Sequence, residues 1–254
     1  MEREAYIAVF DSGVGGLSVL RHLRQHMPSE HYIYYGDCAN APYGSRTTQE
    51  VRALTLAAVE DIFARYPVKT LVVACNTATA AAITALREKY PQRIIIGIEP
   101  ALKLAADRFP GGRIGVMATE VTLREEKFDH LLHRFDAGCT VEKIPAPGLV
   151  ERIERGEAEA AETEALLRRL LSPYIGKLDA LVLGCTHYPF AAKAISHVLG
   201  PEVHLLDGGE GTAKETKRRL QAAGLLRQSG EGTWKLTASG ETDQFLRVAQ
   251  ALLR

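Results

Sequence analysis

Short runs of mostly apolar residues alternate with longer stretches whose apolar positions recur at helical spacing, from residue 7 to about residue 206. The short runs fall at 7–10, 31–35, 70–74, 93–98, 113–117, 140–144, 179–183 and 203–206. Between them the spacing predicts helices over 17–26, 48–65, 79–89, 122–134, 158–171 and 191–199. Strands that are apolar on both faces need cover on both faces. Connections of helix length suit strands that run in the same direction. The pattern predicts an α/β protein built from βαβ units with mostly parallel sheets.

The chain also repeats itself faintly. Leu71-Val72-Val73-Ala74-Cys75-Asn76-Thr77 is echoed by Leu181-Val182-Leu183-Gly184-Cys185-Thr186-His187, 110 residues on. Ile7-Ala8-Val9-Phe10 is echoed by Ile114-Gly115-Val116-Met117, 107 residues on. Two similar offsets predict two related α/β domains meeting near Glu99-Pro100, with the active site in the cleft between them. After Leu206 come a helix through Ala223, a strand at 233–237 and a last helix at 241–253, too few elements for a third domain. They are expected to pack back onto one of the halves, and the division expected is 1–98 plus 208–254 for the first domain and 99–207 for the second.

Composition excludes several functions. Lys+Arg and Asp+Glu are 31 each, so the formal net charge is zero and no basic excess marks nucleic acid as the main partner. No stretch approaches the roughly 18 apolar residues of a membrane span. Met1-Glu2-Arg3-Glu4 leads directly into the first strand, which leaves no room for a signal peptide, so a soluble cytoplasmic protein is expected. Cys38, Cys75, Cys139 and Cys185 show no CxxC spacing, so neither structural zinc nor a disulfide framework is expected.

In parallel α/β sheets, ligands collect beyond the carboxyl ends of the strands. The segments there are Asp11-Ser12-Gly13-Val14-Gly15-Gly16, Gly36-Asp37 through Pro42-Tyr43-Gly44, Cys75-Asn76-Thr77, Ala118-Thr119 and Gly184 through Pro189. The glycine turn is no dinucleotide fingerprint, because Ser18 stands where the third glycine would be, and no P-loop lysine follows. Its backbone N–H groups, with Ser12, are expected to hold a carboxylate at a helix N-terminus. His22 with His26, and His130 with His133, are expected on solvated helix faces. His187 follows Cys185 by two residues, where it can raise the thiolate fraction and share in proton transfer. Cys75 and Cys185 occupy equivalent strand ends in the two halves. Two thiols flanking a carbon acid can take a proton from one face and return one to the other, and a thiol pKa near 8.5 keeps both forms accessible.

Phe10-Asp11-Ser12-Gly13-Val14-Gly15-Gly16, Gly36-Asp37 with Pro42-Tyr43-Gly44, Ala74-Cys75-Asn76-Thr77 and Gly184-Cys185-Thr186-His187-Tyr188-Pro189 together resemble the motif set of bacterial glutamate racemases. The resemblance runs from residue 7 to about 215. It implies cofactor-independent interconversion of L- and D-glutamate, with no metal, supplying D-glutamate for peptidoglycan. It implies Cys75 and Cys185 as the acid/base pair, with Asp11 and His187 assisting, each beside one thiol. Ser12, Tyr43, Gly44, Asn76, Thr77 and Thr186 would bind the substrate along with Asp11 and His187, and Thr119 and Thr122 would join them. Glu154 matches a glutamate that often accompanies the site. A homodimer is the expected assembly. The sequence departs from the family at Asn40, where many relatives carry a basic residue, and at Glu151 and Arg152, which are usually less charged.

Other readings remain open from the residues. A sibling racemase for aspartate would keep both cysteines and shorten the pocket. A cysteine hydrolase using Cys185 and His187 would leave Cys75 unexplained. A binder that had lost catalysis would have little reason to retain both thiols.

Overall fold

The computed structural model describes residues 5–124 and 138–253. The first sheet contains β1 (Tyr6–Asp11), β2 (Tyr32–Gly36), β3 (Val68–Val73), β4 (Ile94–Gly97) and β9 (Trp234–Ala238), in the order β4-β3-β1-β2-β9. The second contains β5 (Arg113–Ala118), β6 (Thr140–Pro145), β7 (Ala180–Leu183) and β8 (His204–Asp207), in the order β6-β5-β7-β8. Every neighbouring pair is parallel. Read from β8, the second sheet repeats the order of β4-β3-β1-β2. The strands that share sequence echoes, β1 with β5 and β3 with β7, therefore hold the same places in the two sheets.

Alternation along the strands explains the cover on both faces. Ile7, Val9, Tyr32, Tyr34 and Val72 pack on α1 (Leu17–His26), α9 (Gly209–Ala222) and α10 (Thr242–Leu252). Ala8, Phe10, Ile33, Leu71 and Val73 face α2 (Thr48–Arg65) and α3 (Asn76–Lys89). In the second sheet, Ile114, Val116, Ala180 and Val182 cover α4 (Leu102–Arg108). Met117, Ile144, Leu181 and Leu183 meet α6 (Leu149–Glu154), α7 (Ala161–Leu171) and α8 (Ala192–Leu199). A short α5 (Glu120–Arg124) follows β5.

The C-terminal segment returns to the first sheet. β9 pairs with β2 along Tyr32–Gly36, and Phe245 of α10 stacks on Tyr34 with centroids 5.9 Å apart. Beneath it, Lys69 Nζ lies 2.5 Å from Glu30 Oε2, both side chains fully buried. Lys69 also donates to the Leu225 carbonyl, and Glu30 Oε1 accepts the Arg227 N–H. This buried ion pair fastens the loop before β9 to the floor of the first sheet.

Several elements differ from the sequence expectation. α3 begins at Asn76 rather than 79, because Cys75 acts as its N-cap. α4 and α6 were not expected; each is too short to show a helical period. His22 and His26 sit on a partly solvated face of α1, half-buried, with Asp207 3.9 Å from His22 and Glu210 3.9 Å from His26. Of the stretch 122–134, only the start is seen, in α5; the rest, with His130 and His133, lies outside the described residues. Among the described residues no helix is long and apolar enough to cross a membrane.

Candidate active site

The carboxyl ends of β1, β3, β5 and β7 meet through buried hydrogen bonds, Thr186 to Asp11 and Thr77 with Thr119. Cys75 leaves β3 and caps α3, its Sγ accepting the Ala78 N–H at 3.4 Å, with Ser12 Oγ at 3.5 Å. A sulfur at this position meets the free N–H groups of a helix start, which favour negative charge. Burial and the Asp11 charge outweigh that help and push the Cys75 thiol up to about 12, and Cys185 adds a smaller push in the same direction. The two sulfurs thus share one electrostatic environment from opposite halves of the chain.

Cys185 stands in a different setting. Its Sγ lies 3.7 Å from His187 Nδ1, and His187 Nε2 lies 2.6 Å from Glu154 Oε1. The same Glu154 oxygen accepts the Val14 N–H at 2.9 Å. Burial alone would lower the His187 pKa, but Cys185 and Glu154 within hydrogen-bonding reach raise it well above the ordinary histidine value. Burial likewise works to raise Glu154, yet His187 and the Val14 N–H hold it below the usual carboxylate range. Both shifts favour the charged pair, with the His187 ring lying between the Glu154 carboxylate and the Cys185 sulfur.

Asp11, fully buried, accepts the Gly13 N–H and the Thr186 hydroxyl, each at 3.0 Å. Burial raises its carboxyl to about 6, against the opposing pull of His187, Gly13 and Thr186. Asp11 is therefore not confined to the first thiol: its charge bears on Cys75, while its hydrogen bond ends on the residue beside Cys185.

The glycine turn serves a purpose other than the expected one. The N–H groups of Gly13 and Val14 do hold carboxylates, but these belong to Asp11 and Glu154 of the protein itself. A Cβ at Gly13 would overlap the Glu154 carboxylate, and one at Gly15 would overlap His187 and Thr186. Gly13 and Gly15 have no room for a side chain because residues more than a hundred positions away press against their backbone.

The opposite wall is made of neutral groups. The hydroxyls of Thr77, Thr119 and Thr122 form a buried triangle with separations of 3.0, 3.3 and 3.0 Å. Gly44 packs against Thr119, whose Cγ2 would lie 2.7 Å from a Cβ added there. Tyr43 is buried with its hydroxyl donating to Asp37 Oδ2 at 2.6 Å, so that hydroxyl is already engaged. Asn76 is buried, and its Oδ1 has no hydrogen-bond partner among the described residues. An orphaned buried amide oxygen is costly unless a ligand completes it.

The structure thus gathers Asp11, Ser12, Cys75, Asn76, Thr77, Thr119, Thr122, Glu154, Cys185, Thr186 and His187 at these strand ends, and Glu154 enters fully despite its charged neighbours. Cys139 lies elsewhere, its Sγ donating to the Phe109 carbonyl. Cys38 is half-buried, with burial and then Glu154 pushing its thiol up to about 12. Sequence reasoning placed Asp37 in a strand-end segment but gave it no role; it is a hub that accepts from Asn40, Tyr43 and Ser239. Its place directly after a strand was the available signal. Among the described residues no group of three His, Cys, Asp or Glu side chains could hold a metal ion.

The Asp/Glu/Hydantoin racemase family model matches residues 17–216. A glutamate racemase of Clostridium perfringens is 44% identical over 253 residues, 99% of this chain and 97% of that protein. Among solved structures, a glutamate racemase from Bacillus anthracis is 33% identical with a TM-score of 0.90, over 99% of this chain and 95% of that one. A glutamate racemase from Francisella tularensis, solved in complex with D-glutamate, is 27% identical with a TM-score of 0.87, over 99% and 94%. Likeness in sequence and in fold extends over both sheets and over each strand end that carries a thiol: the chain belongs to the Asp/Glu/Hydantoin racemase family.

Proposed function

We propose that this chain interconverts L- and D-glutamate without a cofactor, by proton transfer between the α-carbon and the thiols of Cys75 and Cys185. The observation that carries the mechanism is the pair of buried thiols at equivalent strand ends of the two sheets. Glutamate would lie between the unit formed by 1–98 with 208–254 and the unit formed by 99–207. The relatives named above are glutamate racemases, and one of their structures holds D-glutamate.

The chemistry follows from the asymmetry of the thiols. In the free enzyme Cys75 keeps its proton, because burial and Asp11 oppose a second negative charge there. Cys185 instead has the His187 ring 3.7 Å from its sulfur, where a proton on the imidazole offsets negative charge that develops there. Cys185 thus takes the α-proton of one enantiomer, the bonding pair staying on the α-carbon, and Cys75 delivers its proton to the opposite face. The first reaction leaves Cys75 as thiolate and Cys185 as thiol, and the other enantiomer reacts from that form with the roles reversed. Charge developing on the α-carboxylate would be met by neutral donors from Asn76 and Thr77, and by Thr186 where its hydroxyl turns from Asp11 to the substrate. The Thr77, Thr119 and Thr122 hydroxyls, with Ser12 and the Tyr43-Gly44 backbone, line the rest of the substrate site.

The D-glutamate would serve peptidoglycan synthesis, in the cytoplasm, with the chain working as a homodimer. A hydrolase has one observation in its favour, the Cys185–His187–Glu154 sequence of contacts, but gives Cys75 no task. D-Glutamate and D-aspartate, each in D₂O with no added cofactor, separate these readings. Wash-in of α-deuterium with formation of L-glutamate is expected, and a preference for aspartate or an absence of exchange would overturn the assignment. Cys75→Ala and Cys185→Ala should each lower turnover at least about 1,000-fold, whereas Cys38→Ala and Cys139→Ala stay near the unmodified rate.

A further inference from the structure

Ser18 is the second residue of α1, buried, and the reaction just described gives it no task. Its Oγ lies 2.9 Å from the Gly15 carbonyl, on its own turn, and 2.9 Å from the Thr186 carbonyl, in the other half of the chain. One hydroxyl proton faces two acceptors. The Gly15 carbonyl already receives the Ser18 N–H at 3.0 Å. The Thr186 carbonyl accepts no other hydrogen bond among the described residues, and its cause is in the sequence. Around it the chain closes turns three residues apart, with Tyr188 N–H on Cys185 O and Phe190 N–H on His187 O, both at 3.1 Å. The donor that would close the intervening turn on Thr186 belongs to residue 189, and Pro189 has no N–H.

We propose that Ser18 is a positioning residue for the second thiol: its hydroxyl replaces the turn hydrogen bond that Pro189 cannot supply, and so locks the Cys185-Thr186-His187 segment against α1. A buried carbonyl left unpaired would be costly, which assigns the proton to Thr186 rather than to the already bonded Gly15. The peptide between Cys185 and His187 is then held at both ends by the first half, the Thr186 carbonyl by Ser18 and the Thr186 hydroxyl by Asp11. Cys185 and His187 flank this peptide, so their separation of 3.7 Å and the direction of the sulfur depend on it. Ser18 touches neither sulfur. It acts through the backbone, and its loss is felt by one thiol only.

The inference rests on the racemase reading, and the experiment carries a readout independent of it. Ser18→Ala is compared with Ser18→Thr, which keeps the hydroxyl; Ser18 borders a cleft of about 240 Å³ shared with Arg21, Pro189 and Phe190. A third variant joins Ser18→Ala to Pro189→Ala, which gives Thr186 a turn donor of its own. For each, glutamate racemisation is measured as kcat and KM, and iodoacetamide labelling of Cys75 and Cys185 is followed separately by peptide mass mapping. Ser18→Ala should lower kcat about tenfold with KM within about twofold, since a positioning bond is lost and no substrate contact. Cys185 labelling should change several-fold while Cys75 labelling holds. Ser18→Thr and the double variant should each recover most of both signals. An unchanged kcat in Ser18→Ala, an equal change at both thiols, or no recovery in either rescuing variant would overturn the proposal. If the unmodified protein failed to racemise glutamate but the labelling pattern held, the racemase reading would fall and the role of Ser18 would stand.

Discussion

A single buried carboxylate shows how this site sets activity against stability. Asp11 is raised from 3.8 to about 6 because burial penalises its charge more than its partners repay. A carboxyl whose folded value lies above its unfolded value binds its proton more tightly in the native state. Its contribution to stability is greatest below about pH 4 and is lost as pH rises through 6. Asp11→Asn removes that loss, so the variant should be more stable than the parent by up to about 3 kcal/mol at pH 8. The gain should shrink as pH falls toward 5, in urea unfolding followed at several pH values. A variant less stable at pH 8 would show that the Thr186 and Gly13 contacts outweigh the burial of charge. The gain should come with lost turnover, since the same charge acts on Cys75.

Among elements, the glycine turn between β1 and α1 is the most constrained. Neither Gly13 nor Gly15 has a positive φ, so an alanine strains no backbone; its methyl meets Glu154 or His187 instead. Gly15→Ala should leave the circular dichroism spectrum unchanged and lower kcat about 100-fold, the scale of losing a positioned acid/base partner. The tail is held by a different device. Lys69→Met leaves Glu30 charged in a dry site, at a cost of about 4 kcal/mol in denaturant unfolding, and adding Glu30→Gln should return part of it. Sequence displayed the strands well, because their apolar runs report burial that each residue signals locally. The start of α3 was hidden, since cysteine is not among the side chains that ordinarily announce an N-cap. Glu154 was seen only by resemblance, because its partners, Val14 and His187, lie 140 and 33 positions away. The reason for the glycines was hidden for the same cause: the atoms that forbid a side chain there come from the far half of the chain.

At the scale of the whole molecule, the two halves meet through paired contacts: Asp11 with Thr186, Val14 with Glu154, Thr77 with Thr119. The helpers of the two thiols are therefore joined, and one-per-thiol assistance becomes a graded expectation. His187→Asn should raise the primary isotope effect mainly for the enantiomer whose α-proton Cys185 removes. Asp11→Asn, whose charge bears on Cys75 and whose hydrogen bond ends on Thr186, should alter both directions. The check is initial-rate kinetics with α-deuterated L- and D-glutamate, where kcat and KM separate the directions although their ratio is tied by an equilibrium constant of one. Matching responses from the two variants would show that the helpers act as a single unit.

The shared strand order of the two sheets has one more consequence. Units built from L-residues in the same order can be superposed by rotation, never by reflection. A rotation that carries one thiol onto the other turns a flat carbon over, so each face receives a sulfur. It also trades the places of substituents lying in the plane of that carbon. A perfectly repeated frame could reach both faces of the carbanion, yet could not tell a carboxylate from a side chain. Mirror-image chemistry on a chosen amino acid thus needs a broken symmetry, and the break starts one residue after each cysteine, with Asn76 answered by Thr186 and Thr77 by His187.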